Sequence, residues 1–294
     1  MPALIDLRRR IKSVRNTQQI TQAMKTVATA KFKKSQRTVL EARPYWHNSP
    51  DLISEIALWV TRESHPLLSK RKEKKIIGIV ITSDKGLCGA FNSNLLEETK
   101  SYFEEKSQTR DVRLVLIGEK ARSFFKNSPY TVERSYSDAI QKLTEEDFNE
   151  LARLLIHLYL FHKVDAVYVA YNEFKSILAP RVTIAKILPI EPPEKKAKDA
   201  YGDELEYLFP DWEPAMIPLL QTLLPLYIKS QFRHFFFESS VAEHAARMMA
   251  MDNATKNAED LVEELTMDLN KIRQASITKE LLEIMAAVEA LAKK

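Results

Sequence analysis

The chain has 294 residues, 45% of them apolar and 29% charged, an ordinary balance for a protein in water with room for one or two domains and a sizeable core. Its longest apolar runs, Ile76–Thr82 and Leu154–Phe161, are far shorter than the roughly 20 residues a bilayer-spanning helix needs, and a single cysteine, Cys88, excludes an intrachain disulfide and a cysteine-based metal cluster. The net charge of +4 is unevenly placed: residues 1–37 hold ten Lys/Arg against Asp6, a local +9 that leaves −5 for the rest, so this end suits nucleic acid, an acidic membrane surface or an acidic protein.

Met1-Pro-Ala-Leu-Ile-Asp6 lacks the apolar core of a secretory signal, and helical periodicity begins already at Leu4, so neither a signal nor a cleavable presequence is expected. Leu4, Leu7, Ile11 and Val14 step by three and four, Ile20, Met24 and Val27 resume the pattern after a polar break, and Phe32, Val39, Trp46, Ile53 and Val60 follow at seven-residue spacing. Together they predict one long helix with a near-heptad seam over residues 1–60. The five glycines all lie between Gly78 and Gly202, which marks the middle of the chain as the compact part. There, Ile76–Thr82, Val112–Ile117 and Ala166–Ala170 are short β-branched runs that read as buried strands, with Val182–Leu188 a further candidate. Helical stretches at Asn94–Lys106, Glu119–Lys126 and Glu145–His162 alternate with them, which predicts a Rossmann-like α/β domain with a mostly parallel sheet over residues 70–213. Pro189–Ala200 reads as a loop.

No Gly or Pro follows Pro225, and Ala254, Ala258, Leu261, Leu265, Leu269 and Ile272 continue a helical seam, so residues 214–294 are expected to form a second long helix. Residues 226–294 as one helix would measure on the order of 100 Å, whereas a domain of roughly 150 residues is only about 40 Å across. Half or more of this helix must therefore leave the domain, and the first helix is its natural antiparallel mate. Met24, Met248, Met249 and Met251 on such a rod call for a surrounding partner.

Candidates for chemistry are few. Thr82–Asn92 follows a strand and precedes a helix, where phosphate loops occur, but Gly86-x-x-Gly89 matches neither G-x-G-x-x-G nor the Walker pattern; it reads as a structural turn, with Cys88 a small buried side chain. The six histidines show no metal-ligand spacing, and His157 and His162 fall on different helix faces. Glu259-Asp260 and Glu263-Glu264 read as solvated helix faces. The basic charges of the first helix surround it rather than lining one side, with few aromatics interleaved, so nucleic acid is not the expected partner. No catalytic residue, cofactor or metal ligand is predicted.

Four motifs in order along the chain resemble the γ subunit of bacterial F-type ATP synthases: the stretch from Leu7 to Ala28, the loop Ser83-Asp-Lys-Gly-Leu-Cys-Gly89 with Asn92, Glu243-His-Ala-Ala-Arg247-Met-Met-Ala-Met251, and Asn270-Lys-Ile-Arg273-Gln274-Ala-Ser-Ile-Thr278-Lys-Glu280-Leu. The resemblance implies a non-catalytic central-stalk rotor of a proton-translocating synthase, coupling ion flow through the c-ring to conformational change and ATP synthesis or hydrolysis at the β subunits. It implies a coiled coil inside an α3β3 ring, an ε subunit on the central domain, and a membrane contact made only through the c-ring of Fo, at the cytoplasmic face of the plasma (inner) membrane. By the same resemblance, Arg273 and Gln274 meet a catch loop of β, with Met24, Arg247, Thr278, Glu280 and Glu283 in the same coupling region, and Glu206, Tyr207 and Phe209 fall at the foot on the c-ring. The chain has Met285-Ala286-Ala287 where members of the family usually show glycines, and Leu269 and Ile272 where Tyr and Ala are more usual. The alternative reading is a non-rotary coiled-coil scaffold, and a nucleotide-dependent enzyme built on the central domain comes third.

Overall fold

The computed structural model describes residues 2–58, 65–137, 144–176, 180–191 and 216–292. In chain order these form α1 (Pro2–Leu58), β1 (Lys75–Ile81), α2 (Phe91–Ser107), β2 (Asp111–Ile117), α3 (Glu119–Phe125), β3 (Thr131–Tyr136), α4 (Glu145–Leu160), β4 (Ala166–Phe174), β5 (Pro180–Leu188) and α5 (Met216–Ala292). They fall into two compact units, residues 1–29 with 247–294, and residues 30–246.

The larger unit is built on a five-stranded sheet of order β3-β2-β1-β4-β5. β1 runs parallel to β2 and β4, β2 parallel to β3, and only β5 is antiparallel, on β4. The mostly parallel sheet between long first and last helices is the fold expected from the sequence. Alternation along β1 sorts its side chains to the two faces. Ile77, Ile79 and Ile81 join Phe148, Leu151 and Leu155 of α4 and Leu220, Leu224, Ile228 and Phe232 of α5 in the larger core. Ile76 and Val80 join Leu96 and Phe103 of α2 and Ala121 and Phe125 of α3 in the other. Gly78 leaves the room that the Phe103 ring fills, since a Cβ there would stand 3.0 Å or less from three of its carbons. α4 starts on a reciprocal cap: Asp147 donates its amide to Thr144 Oγ1 and its carboxylate accepts from the Thr144 amide.

One strand departs from the pattern read in the sequence. β3 has no counterpart among the predicted strands, because at the sheet edge Thr131-Val-Glu-Arg-Ser-Tyr136 buries no side chain fully and shows no apolar alternation. α5 runs from Met216 to Ala292 against the expected 214–294, and it carries Pro225 within it. A proline removes one helical hydrogen bond, but Leu220, Leu224 and Ile228 on either side are 0–1% exposed, and their burial holds the helix through the break.

In this unit the seven-residue series of α1 is an apolar contact line: Phe32, Val39 and Trp46 are 6% exposed and Ile53 3%. The first three pack with Val241 and Ala245 of α5, and Trp46 lies 4.9 Å from the His234 ring.

The smaller unit pairs the start of α1 with the end of α5. Thr255 Oγ1 donates to Thr21 Oγ1 at 2.8 Å, and Lys25 Nζ meets Asp252 at 2.6 Å; a rising number on one helix meets a falling number on the other, so the pair is antiparallel. Ile11, Ala28, Met251, Ala258 and Leu265 are buried here. The seam passes through Thr21 rather than Ile20, and through Ala28 rather than Val27; Ile20 and Val27 are 61% and 57% exposed. Heptad spacing from Ile11 and Val14 leads to Gln18, Thr21 and Ala28, and two small side chains there let the helices approach closely enough for the Thr–Thr hydrogen bond. Met251 likewise belongs to the contact rather than to the outer surface expected from the sequence.

Candidate functional site

The direction of winding in the sheet reverses between β1 and β4, and the crevice beyond the carboxyl ends of such strands is where doubly wound domains bind ligands. In this chain the loop Thr82–Asn92 occupies that crevice itself. Leu87 (φ 62) and Gly89 (φ 58) adopt left-handed backbone conformations around Cys88, which is 2% exposed and packs with Phe91 and with Ala242 of α5. Ser83 Oγ donates to the Lys85 carbonyl at 2.7 Å, Asn92 Oδ1 accepts from the Ser83 amide at 3.1 Å, and Asn92 Nδ2 donates to Cys88 Sγ at 3.1 Å. Asn172 of β4 donates to the Phe91 carbonyl at 3.3 Å. On the other side, Thr82 Oγ1 donates to the Ile117 carbonyl and accepts from the Ala121 amide, while Asp84 accepts from the amide of Glu119. The side chains of Thr82, Ser83, Asp84 and Asn92 are thus committed to bonds within and around the loop, which joins β1, β2, α2, α3 and α5. Among the described residues, no group of three or more His, Cys, Asp or Glu side chains is placed to hold a metal ion.

The same unit fastens the sheet to α5 through polar contacts. Glu238 Oε2 accepts from the Phe174 amide at 3.0 Å, and Lys229 and Arg233 meet Glu145 at the start of α4 at 3.1 and 2.8 Å. Trp46 stacks on Phe237 with ring centroids 6.2 Å apart.

The residues expected at the coupling surface lie in the smaller unit and do not form one cluster. Met24 and Arg247 are half-buried, whereas Arg273, Gln274, Thr278, Glu280 and Glu283 are exposed. Arg247 and Arg273 are separated by about 39 Å along one helix at 1.5 Å per residue. Glu283 is paired with Lys279, one turn earlier, at 3.8 Å. Glu206, Tyr207 and Phe209 lie outside the described residues. A feature not drawn from the sequence is the apolar surface of the last turns of α5: Met267, Ile277, Leu281, Leu282, Ile284 and Met285 are 50–67% exposed. Its signal was present in Leu281-Leu282 and Ile284-Met285, where apolar side chains occupy adjacent positions that no single helix face can bury.

The family model for ATP synthase matches residues 3–291. An ATP synthase gamma chain of Pelotomaculum thermopropionicum is 42% identical over 291 residues, 99% of this chain and 100% of that one. The chain belongs to the ATP synthase gamma chain family. Among solved structures, the central stalk and c-ring of the Tetrahymena thermophila mitochondrial ATP synthase has a chain 27% identical with a TM-score of 0.60, over 80% of this chain and 99% of that chain. A chain of the Euglena gracilis mitochondrial ATP synthase in rotational state 3 shares the fold at 19% identity and a TM-score of 0.67, over 99% of this chain and 95% of that one. A gamma chain is a subunit of the synthase, its central-stalk rotor, and not itself the catalytic chain. Among the described residues no helix is long and apolar enough to cross a membrane.

Proposed function

We propose that this chain turns inside an α3β3 ring, carries an ε subunit on its central domain and stands on the c-ring of a proton-translocating F-type synthase at the cytoplasmic face of a bacterial inner membrane. Residues 1–60 and 214–294 then supply the shaft and residues 70–213 the body that receives torque. The observation that carries this reading is the last helix, continuous from Met216 to Ala292, whose apolar side chains from Met267 onward are largely exposed. Burying a leucine, isoleucine or methionine side chain gains about 1.5–3 kcal/mol, so this surface favours an enclosing partner. Torque entering the body would reach α5 through the contacts of Glu238, Lys229 and Arg233 and the packing around Trp46 and Val241. Because α1 and α5 differ in length and surface, each angular position of the shaft presents a different face to each β subunit, and nucleotide chemistry takes place there.

Arg273 and Gln274, exposed on α5, are the proposed contacts of the β catch loop, with Met24, Arg247, Thr278, Glu280 and Glu283 contributing along the shaft. A guanidinium offers a carboxylate two parallel hydrogen bonds, which form in one orientation and break in the next. Each is worth about 1–3 kcal/mol, and about 1.4 kcal/mol changes a population tenfold. Glu206, Tyr207 and Phe209 are the proposed foot on the c-ring. The test is the double variant Arg273→Ala, Gln274→Ala, assayed in membranes for complex yield, ATP hydrolysis and proton pumping. Normal yield with altered hydrolysis or a reduced ratio of pumping to hydrolysis supports the contact; unchanged hydrolysis and pumping would remove these residues from the coupling surface.

A further inference from the structure

The amino-terminal edge of the central sheet is strongly basic, and the function above leaves it without a task. Ser69-Lys-Arg-Lys-Glu-Lys-Lys75 leads into β1 and carries five cations against one carboxylate. The starts of the neighbouring strands lie beside it: Lys75 is opposite Asp111 of β2, and the Asp165 amide before β4 donates to the Lys75 carbonyl. The few acids here are already engaged. Glu73 is shared by Lys186 at 3.0 Å, Arg110 at 3.1 Å and Lys106 at 3.9 Å, and it accepts from the Tyr168 hydroxyl at 2.9 Å. Asp165 accepts from the amides of Lys74 and Lys75. Lys72, Lys74, Lys75 and Lys163 are exposed, and none forms an ion pair among the described residues. Leu160 and Phe161, at the end of α4 just before Lys163, are 38% and 63% exposed.

Glu191, which follows β5 at this same end of the sheet, pairs with Lys186 at 2.8 Å and Lys70 at 3.3 Å, and residues 192–215 follow it in the chain. That stretch includes Glu206, Tyr207 and Phe209, the proposed foot. If the foot stands on a ring embedded in the membrane, the segment leading to it starts from the basic edge, and lysines with an exposed phenylalanine among them match an interface of anionic headgroups and acyl chains.

We propose that this edge is a lipid-facing surface, with Lys72, Lys74, Lys75 and Lys163 drawn to anionic phospholipid headgroups; the assignment rests on the c-ring foot for its orientation. Attraction to a fluid layer of headgroups suits a rotor, because mobile lipids present the same charge at every angle and impose no preferred stopping position. This contact departs from the attachment through the ring alone that the family resemblance implies.

The experiment uses the full chain floated with vesicles of phosphatidylcholine, with and without phosphatidylglycerol, at low and high salt. The basic first helix is a competing binder, so all comparisons are made in an Arg8→Gln, Arg9→Gln, Arg10→Gln background. That background protein is expected to partition onto phosphatidylglycerol vesicles only, and to be released by salt. Adding Lys72→Gln, Lys74→Gln, Lys75→Gln and Lys163→Gln should lower partitioning tenfold or more, since each lysine near an anionic surface contributes up to about fivefold. No binding by the background protein, equal binding by the two proteins, or binding to phosphatidylcholine alone would overturn the proposal. The foot is tested separately by a Tyr207→Cys cross-link to the c-ring in assembled membranes. The vesicles contain no ring, so either result can fail without the other.

Discussion

Replacing Gly118 with alanine should destabilise the central unit by about 4 kcal/mol. Gly118 lies between β2 and α3 at φ 97 and ψ 146, a region of backbone space in which side chains are held at a cost of about 1–3 kcal/mol. An added Cβ would also stand 2.7 Å from Thr82 Oγ1 and 2.8 Å from the Thr82 carbonyl carbon, with the carbonyl oxygen closer still. Thr82 cannot give way cheaply: its amide donates to the Ile117 carbonyl at 2.8 Å, and its hydroxyl bridges Ile117 and Ala121. Forcing atoms into such a site adds about 1–3 kcal/mol. Gly86→Ala is the control, since a Cβ there meets only the end of the Lys120 side chain, at 3.8 Å or more. In urea titrations followed by circular dichroism, a slope of about 2 kcal/mol/M turns the expected loss into a midpoint lower by about 2 M, whereas Gly86→Ala should stay within about 0.5 kcal/mol of the unaltered chain. Coincident midpoints for the two variants would refute the claim that this joint is sterically full.

The carboxyl of Glu73 is pushed up by burial but held below its ordinary value of 4.5 by hydrogen bonds from Lys186 and Tyr168 and the nearby charge of Lys106. A carboxylate whose pKa is depressed on folding contributes stability that is present above pH 4.5 and is lost as pH falls through the lower folded value; unfolding midpoints of Glu73→Gln should therefore change less than the parent's between pH 6 and pH 3. Reversing either charge of the Lys25–Asp252 pair should lower the temperature at which the smaller unit melts, and the double variant Lys25→Asp, Asp252→Lys should recover part of the loss in circular dichroism scans. The thiol of Cys88, buried and accepting from Asn92, should react slowly with a disulfide reagent in the folded chain and rapidly in denaturant; fast native labelling would contradict the packed loop.

The helices were legible because their signals are strong and repeated. Phe32, Val39, Trp46 and Ile53 keep one spacing over three heptads, and all four are buried. β1, β2 and β4 were legible as β-branched runs because they lie inside the sheet, buried on both faces. β3 was not, since an edge strand of Thr, Glu, Arg and Ser carries no such pattern. The seam through Thr21 and Ala28 was harder to read than the decoy line through Ile20 and Val27, because helix pairing selects for position and size while a hydropathy reading sees only apolar character. The filled crevice was also partly legible: the absence of a phosphate-loop motif was plain, but the mutual hydrogen bonds of Ser83, Cys88 and Asn92 join residues whose meeting depends on the left-handed turn at Leu87. The residues proposed for coupling follow from motif resemblance alone, since nothing in their local chemistry separates Arg273 from other surface arginines. The basic edge was partly legible: the run from Lys70 to Lys75 is contiguous in the sequence, and only the pairing of β4 with β1 brings Lys163 beside it.

Rotation itself is the most direct test of the account. The chain would be assembled with α and β subunits on a surface, with a probe attached at a cysteine introduced at exposed Lys126, Cys88 being buried. Addition of ATP should turn the probe continuously in one direction, and Arg273→Ala with Gln274→Ala should change the rotation rate or the pauses between steps. A complex that hydrolyses ATP at its full rate while the probe stays fixed, or only fluctuates without direction, would contradict the central claim.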